Sequence, residues 1–455
     1  MDRVFAMPQL GPPTVLDRAG VLARYAANRR RTRELFDLLD DSMYYERPIS
    51  LRNPVVFYEG HIPAFSVNTL VKKALGWNGV DAHLETIFAR GIDPESEATS
   101  IARGNPAWPS RAEVHQYVEA ADRLIEKAVS SADLDRPGDP MLDQARALWT
   151  ILEHEEMHQE TLGYIWHQVP YAAKHKPAGY RTETPSTPDA DVSSVHVRIP
   201  AGTATLGTDL HENLFAWDNE SPVHEVHVPT FGIDAYKVTN EQFMEFVQAG
   251  GYHAPQWWRP EDWAWIESSG VSHPFFWERD GDRWFWKGMF ERVPLPPDWP
   301  VYVTWAEANA FARWRRLRLP TEAEYHRAAF GTPEGRERSY PWGEFVGRSV
   351  PGNFDFVRWD PEPVGTHPEG ASAFGVHDLI GNGWEWTSTV FGPFDGFEPL
   401  PTYPEYSAEF FDGDHFVMKG ASPLTARTLV RRGFRNWFRP RYPYVYATFR
   451  CAGEA

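Results

Sequence analysis

The stretch Glu153-His154-Glu155-Glu156-Met157-His158-Gln159-Glu160 puts two imidazoles four residues apart inside an apolar-periodic segment. In a helix that spacing brings both rings to one face. Two such nitrogens hold a first-row transition metal when at least one further ligand comes from elsewhere in the chain. His154-Glu155-x-x-His158 is also the H-E-x-x-H pattern of zinc hydrolases, in which the glutamate is the base. The longer form H-E-x-x-H-x-x-G-x-x-H is not met, because Thr161 and Tyr164 stand where its glycine and third histidine belong. The motif by itself leaves metal and reaction open.

The elements that must position these rings read as helices. Apolar residues from Thr14 to about Asp40 recur as a helical stripe, and Pro54 opens a second helix from Val55 to about Leu75. That second segment carries Gly60-His61 in its first turns, where a small residue before the histidine permits close approach of a neighbour. A loop rich in Gly, Pro, Asp and Ser runs from Gly76 to Pro109, and Ser110-Arg-Ala-Glu113 is a capping box for a third helix through about Val129. The fourth runs from Leu142 to about Val169, between Pro140 and Pro170. Four helices joined by connections of varied length read as a bundle, in which His61 can face His154 and His158 and supply the third ligand.

Residues 176–194 read as a polar, proline-broken linker between a helical domain over 1–175 and a second domain over 195–455. All but four of the 20 Trp lie beyond the linker, so the second domain holds its loops by aromatic packing. Short strand-like runs such as Val195–Ile199 and His224–Val228 alternate there with Gly- and Pro-rich turns, and two helices stand out, Thr239 to about Ala249 and Thr304 to about Leu317. The expected class is a four-helix bundle followed by a loop-rich α+β domain.

Composition bounds the partners. A formal net charge of -18 repels nucleic acid and anionic membrane surfaces over long range, so neither is expected as a partner. A single cysteine, Cys451, rules out an intrachain disulfide and fits a reducing compartment. The opening MDRVFAMPQLGPP has no apolar core behind a basic start, and no apolar run of about 18 residues occurs. The expectation is a cytoplasmic protein acting on small molecules.

The strings GH at 60–61 and HEEMHQE at 154–160 resemble the DinB-like four-helix domain of the non-haem iron enzymes that join sulfur or selenium to hercynine, the trimethylated betaine of histidine. The strings IPAGTATLGT, DNESPVHEV, KVTNEQFMEFVQAGGY, RLPTEAEYHRAA, GNGWEWTS and GFRNWFRPRYPYVYATFRCA resemble the formylglycine-generating-enzyme/sulfatase-modifying fold, which is related to C-type lectins. The resemblance implies that His61, His154 and His158 are ligands of iron(II), with O2 as co-substrate. It implies that Asn436 and Trp437 line the hercynine pocket, where an indole face suits a trimethylammonium by cation–π attraction. It implies that Tyr403 or Tyr406, in TYPEYSAEFF, is the proton donor of the oxygen chemistry.

Departures from the family pattern bear on the donor. Relatives that use γ-glutamylcysteine carry an Asp and an Arg where this chain has Phe438 and Tyr442, and many carry Gln where it has Met157 in the betaine pocket. The cations left to read an amino-acid thiol are Arg439, Arg441 and Arg103. An aromatic pair suits a neutral sugar, so the resemblance points to a selenoneine synthase using a selenosugar. The alternative is a hercynine sulfoxide synthase of ergothioneine biosynthesis using γ-glutamylcysteine or cysteine, and a zinc metallopeptidase is a distant third. Copper-dependent formylglycine generation needs a cysteine pair that this chain lacks. Asn382 and Glu385 in GNGWEW are oxygen donors of the kind that hold Ca2+, or residues that fix a turn.

Overall fold

The computed structural model describes residues 16–89, 107–180, 196–210, 213, 215–344 and 351–455. The chain packs as two compact units, Met1–Gly179 with Pro399–Pro404, and Tyr180–Glu398 with Glu405–Ala455. The expected division at the linker assigned 399–404 to the second domain; instead this short segment packs with the helices. Most of the expected linker, 181–194, and Val195 lie outside the described residues.

The first unit is built on four long helices, Arg18–Phe36, Val55–Ser66, Arg111–Ser131 and Arg146–His167. The third starts where the capping box lies, with the Ser110 side chain accepting from the Glu113 N–H and the Glu113 carboxylate accepting from the Ser110 N–H. The fourth begins at Arg146 rather than Leu142, because Gln144 and Ala145 adopt left-handed φ values of 56° and 55°. The second helix contains Pro63 and passes after Ser66 into a wider π-helical stretch, Val67–Ala74, whose end is closed by the Leu75 N–H on the Leu70 carbonyl. A short helix, Ala82–Ile87, interrupts the stretch expected to be loop, and its cap Asp81 accepts from the His83 and Leu84 N–H groups.

Polar pairs as well as apolar side chains bind the first helix to the fourth. Arg24 holds the Glu156 carboxylate through two hydrogen bonds, at 2.9 and 2.7 Å, and Arg29 reaches Glu155 at 2.7 Å. The two glutamates between the motif histidines are therefore turned toward the Arg18–Phe36 helix, which leaves another face of the motif helix to the imidazoles.

Among the described residues, the second unit contains four small sheets. β1 (His196–Ile199), β4 (Phe231–Asp234) and β12 (Ala452–Gly453) form one, in the order β1-β4-β12; β2 (Gly202–Leu206) pairs with β3 (His224–Val228). β5 (Trp277–Asp280), β6 (Arg283–Lys287) and β7 (Arg292–Pro294) form a meander. β8 (Gly383–Val390), β9 (Phe416–Ala421), β10 (Asn436–Phe438) and β11 (Ala447–Thr448) form the fourth, in the order β10-β9-β8-β11. Ile199, Ala204, Phe231, Ile233, Tyr325 and Leu379 are among the side chains of its buried core.

Among the described residues, four α-helices occur in this unit where two were expected. Asn240–Gln248 and Trp305–Trp314 match the expectation; Pro260–Ser269 and Glu322–Phe330 were not anticipated. The signals for both are present: Pro260 sits at the first helical position, and Thr321 with Glu324 is a complete capping box.

The motif GNGWEW is a core device. The Glu385 carboxylate, with no exposure, takes Arg450 at 2.6 Å and Lys237 at 3.2 Å. Asn382, at φ 59°, receives the Glu362 N–H and donates to the Glu362 carbonyl, so it fixes a turn.

Candidate metal centre

His154 and His158 project from one face of the Arg146–His167 helix, and His61 meets them from the Val55–Ser66 helix. Their ligating nitrogens lie within 4.8 Å of one another. The His61 Nδ1 is 2.9 Å from the Phe88 carbonyl, which assigns its N–H to that bond and turns Nε2 to the other histidines. Phe88 can deliver this carbonyl because Gly60 lacks a side chain: a Cβ there would collide with the Phe88 ring. The small residue expected before the histidine thus admits a phenylalanine at the end of the short helix.

Burial keeps the three rings neutral. It pushes His61 down to about 4, the hydrogen bond to Phe88 opposing it. His154 lies well below the usual imidazole range, first through burial and then through His158 and His61, and His158 does so through burial, His61 and Arg52. The Nδ1 atoms of His154 and His158 are buried without a hydrogen-bond partner among the described residues. Three neutral imidazoles whose ligating nitrogens converge within 4.8 Å fit a divalent first-row metal, which would be held by one nitrogen of each ring with coordination positions left open.

Glu155 is placed for structure. Its carboxylate accepts from Arg29 and from the Thr32 hydroxyl, at 2.7 and 2.6 Å, and is 1 % exposed. Burial raises its pKa, while Arg29 and Thr32 oppose the rise. A zinc peptidase needs that glutamate beside a metal-bound water; here it is committed to the neighbouring helix, and the hydrolase alternative loses its base.

Aromatic rings wall the histidines. Phe57 stacks on His61 at 4.8 Å, and Phe65 lies on His154 at 3.5 Å with 9° between the planes. Tyr403, carried by the segment that joins this unit, is 5.1 Å from Phe65 and 6.2 Å from His154, ring centre to ring centre. The two candidate tyrosines are therefore separated by environment. Tyr406 stacks on Trp217 at 4.0 Å and meets Trp437 edge-on at 5.3 Å in the second unit. Met157 is half-buried on the motif helix.

Asn436, Trp437 and Phe438 are the three residues of β10, all half-buried, paired with Met418, Val417 and Phe416. The Asn436 side-chain oxygen accepts the Trp437 N–H at 2.8 Å, and the indole stacks on Phe391 at 4.2 Å. Phe438 and Tyr442 stack on one another at 5.2 Å and 14°. The nearby arginines are engaged: Arg441 with the buried Asp262 at 2.9 Å, Arg439 with Asp412 at 3.6 Å. Arg103 lies outside the described residues.

Two family models cover the chain: the DinB superfamily over residues 24–162 and the sulfatase-modifying factor enzyme 1-like domain over 182–455. The hercynine oxygenase of Mycolicibacterium thermoresistibile is 33% identical over 440 residues, 94% of this chain and 93% of that protein. This chain belongs to the hercynine oxygenase family. The Mycolicibacterium smegmatis hercynine oxygenase is 38% identical over 269 residues, 58% of this chain and 62% of that one. Ergothioneine biosynthesis protein 1 of Schizosaccharomyces pombe is 29% identical over 447 residues, 90% of this chain and 53% of that protein. Both halves expected of the fold, a helical DinB domain and a loop-rich sulfatase-modifying domain, are those of this family. No helix among the described residues is long and apolar enough to cross a membrane.

Proposed function

We propose that this chain is an iron(II)- and O2-dependent hercynine oxygenase that joins a chalcogen to the imidazole ring of hercynine. The triad of His61 and His154, both buried, with the half-buried His158 carries the reading. When bound, iron(II) supplies open positions for substrate, donor and O2. The chain's own residues do the rest. In the second unit Trp437 offers an aromatic face of the kind that suits a trimethylammonium group, and Asn436 holds the strand that presents that face; in the first unit Met157 presents an apolar side chain on the motif helix. Tyr403, beside His154, is the proton donor at its phenol oxygen; Tyr406 braces Trp437.

Sulfur is the chalcogen that the relatives' names favour, since ergothioneine biosynthesis is named among them. The donor is then a thiol such as γ-glutamylcysteine or cysteine. A second reading, a selenosugar donor and hence a selenoneine synthase, is supported by the stack of Phe438 on Tyr442 and by the pairing of Arg441 with Asp262. Aromatic faces suit the C–H surface of a neutral sugar, whereas a zwitterion entering them must shed water without a counter-charge. The test is aerobic incubation of the full chain with iron(II), hercynine and equal concentrations of thiol and seleno donors, with products identified by mass spectrometry. A sulfur adduct alone supports the first reading and a selenium adduct the second. No hercynine adduct from any donor overturns both.

A further inference from the structure

A histidine that holds a metal is usually oriented by a hydrogen bond from its other ring nitrogen, which fixes both the plane of the ring and its tautomer. His61 follows that rule through the Phe88 carbonyl. His154 does not, because its Nδ1 is buried with no hydrogen-bond partner among the described residues. What fixes its plane is a phenyl ring. Phe65 covers the imidazole face at 3.5 Å and 9°, itself only 9 % exposed.

The arrangement follows from helical spacing. Phe57, His61 and Phe65 stand at four-residue intervals on the Val55–Ser66 helix, so all three share a face. His154 and His158 stand at the same interval on the facing helix. One turn beyond the ligand His61, the second helix therefore presents Phe65 to His154, while the same phenyl ring meets Tyr403 at 5.1 Å and 59°. A flat side chain at 65 sets the plane of one ligand and backs the tyrosine at once.

We propose that Phe65 is a positioning residue of the metal centre, holding the His154 imidazole in its working orientation by ring stacking in place of a hydrogen bond, with the Tyr403 ring tilted against its other side. The proposal rests on the reading of the triad as a metal site and not on the identity of the substrates. Phe65→Leu and Phe65→Met keep an apolar side chain of similar reach and remove the flat face, whereas Phe65→Tyr keeps it. Phe57→Leu is the comparison, since His61 retains its hydrogen bond to Phe88 when that stack is lost.

The full chain, loaded with Co(II), gives a readout independent of turnover: the visible ligand-field spectrum and the Co(II) dissociation constant, with circular dichroism to establish folding. Phe65→Leu and Phe65→Met are expected to shift the spectrum and weaken Co(II) binding about tenfold, and Phe65→Tyr and Phe57→Leu to stay within about threefold of the wild type. Either folded aliphatic variant decides the matter. An unchanged spectrum and affinity in it would overturn the proposal, as would a Phe65→Tyr spectrum displaced as far as that of Phe65→Leu. A wild type that binds Co(II) but makes no hercynine adduct defeats the proposed reaction and leaves this inference standing.

Discussion

The hydroxyls of Thr150 and Thr402 lie 2.7 Å apart, both buried, across 252 residues of sequence. Thr150 also donates to the Arg146 carbonyl at 2.9 Å, so Thr402 is the donor of the pair. Thr150 is one turn ahead of His154, and Thr402 directly precedes Tyr403. One hydrogen bond therefore ties the tyrosine to the helix that carries two of the histidines.

Thr150→Val leaves the buried Thr402 hydroxyl without its acceptor, a cost of about 1–3 kcal/mol. Turnover with hercynine and donor is expected to fall about tenfold through misplacement of Tyr403, while Co(II) affinity stays at the wild-type value. Thr150→Ser is expected to restore turnover. A Thr150→Val enzyme as fast as the wild type would mean that Tyr403 needs no such anchor.

Glu155→Gln separates structure from catalysis at the metal motif. The glutamine Oε1 can still accept from both Arg29 and Thr32, which share one oxygen, but the charge that faces Arg29 is lost, so a destabilisation of about 2 kcal/mol is expected in chemical unfolding. Metal content and turnover per folded molecule are expected to remain within about threefold. A collapse of turnover in a folded, metal-loaded variant would return Glu155 to a role as base. His61→Ala, His154→Ala and His158→Ala are each expected to abolish tight metal binding, read by metal analysis after gel filtration.

The second unit has its own pH response. His367 is 2.7 Å from Glu362 and 3.3 Å from Glu369, and the hydrogen bond to Glu362 is the main cause that raises it to about 9, against the effect of burial. Its folded value lies above the ordinary value of 6.5. The stabilisation is therefore complete below about pH 6.5 and is lost as pH rises through 9. Partial exposure reduces it to the order of 1 kcal/mol. Melting temperatures between pH 6.5 and 9 are expected to fall more for the wild type than for His367→Gln; parallel curves would show that the pair contributes nothing.

Spacing made part of this site legible and hid the rest. His154 and His158 declare themselves by their interval, Gly60 by being the small residue beside His61, and Ser110 with Glu113 by the capping box. These are local signals, decided within one turn of helix. The return of 399–404 to the helical unit is not local, since nothing near Tyr403 in sequence distinguishes it from Tyr406 three residues later. Only the partners do so, Phe65 and His154 for one and Trp217 and Trp437 for the other. The early expectation for the fourth helix failed at Gln144 and Ala145 for a related reason, because neither residue type announces a left-handed backbone.

Donor choice is the sharpest test of the Phe438–Tyr442 stack. An Asp and an Arg at these positions would offer counter-charges to an ammonium and a carboxylate. Two stacked rings offer none, and Arg441 is already held by Asp262, which also binds Arg259 at 2.6 Å. A zwitterionic thiol must lose hydration at such a surface without recovering it in ion pairs, whereas a neutral sugar keeps its hydroxyls in water and packs its C–H face on the rings. Phe438→Asp with Tyr442→Arg is therefore expected to move the ratio of kcat/KM for γ-glutamylcysteine over a selenosugar upward by at least tenfold, about 1.4 kcal/mol of discrimination. Either single substitution leaves an uncompensated charge and is expected to impair both donors. The ratio is measured for wild type and double variant in the same competition experiment, so loss of overall activity does not obscure it. A ratio that stays put would free the aromatic pair from any part in donor choice and remove the observation that favours selenium.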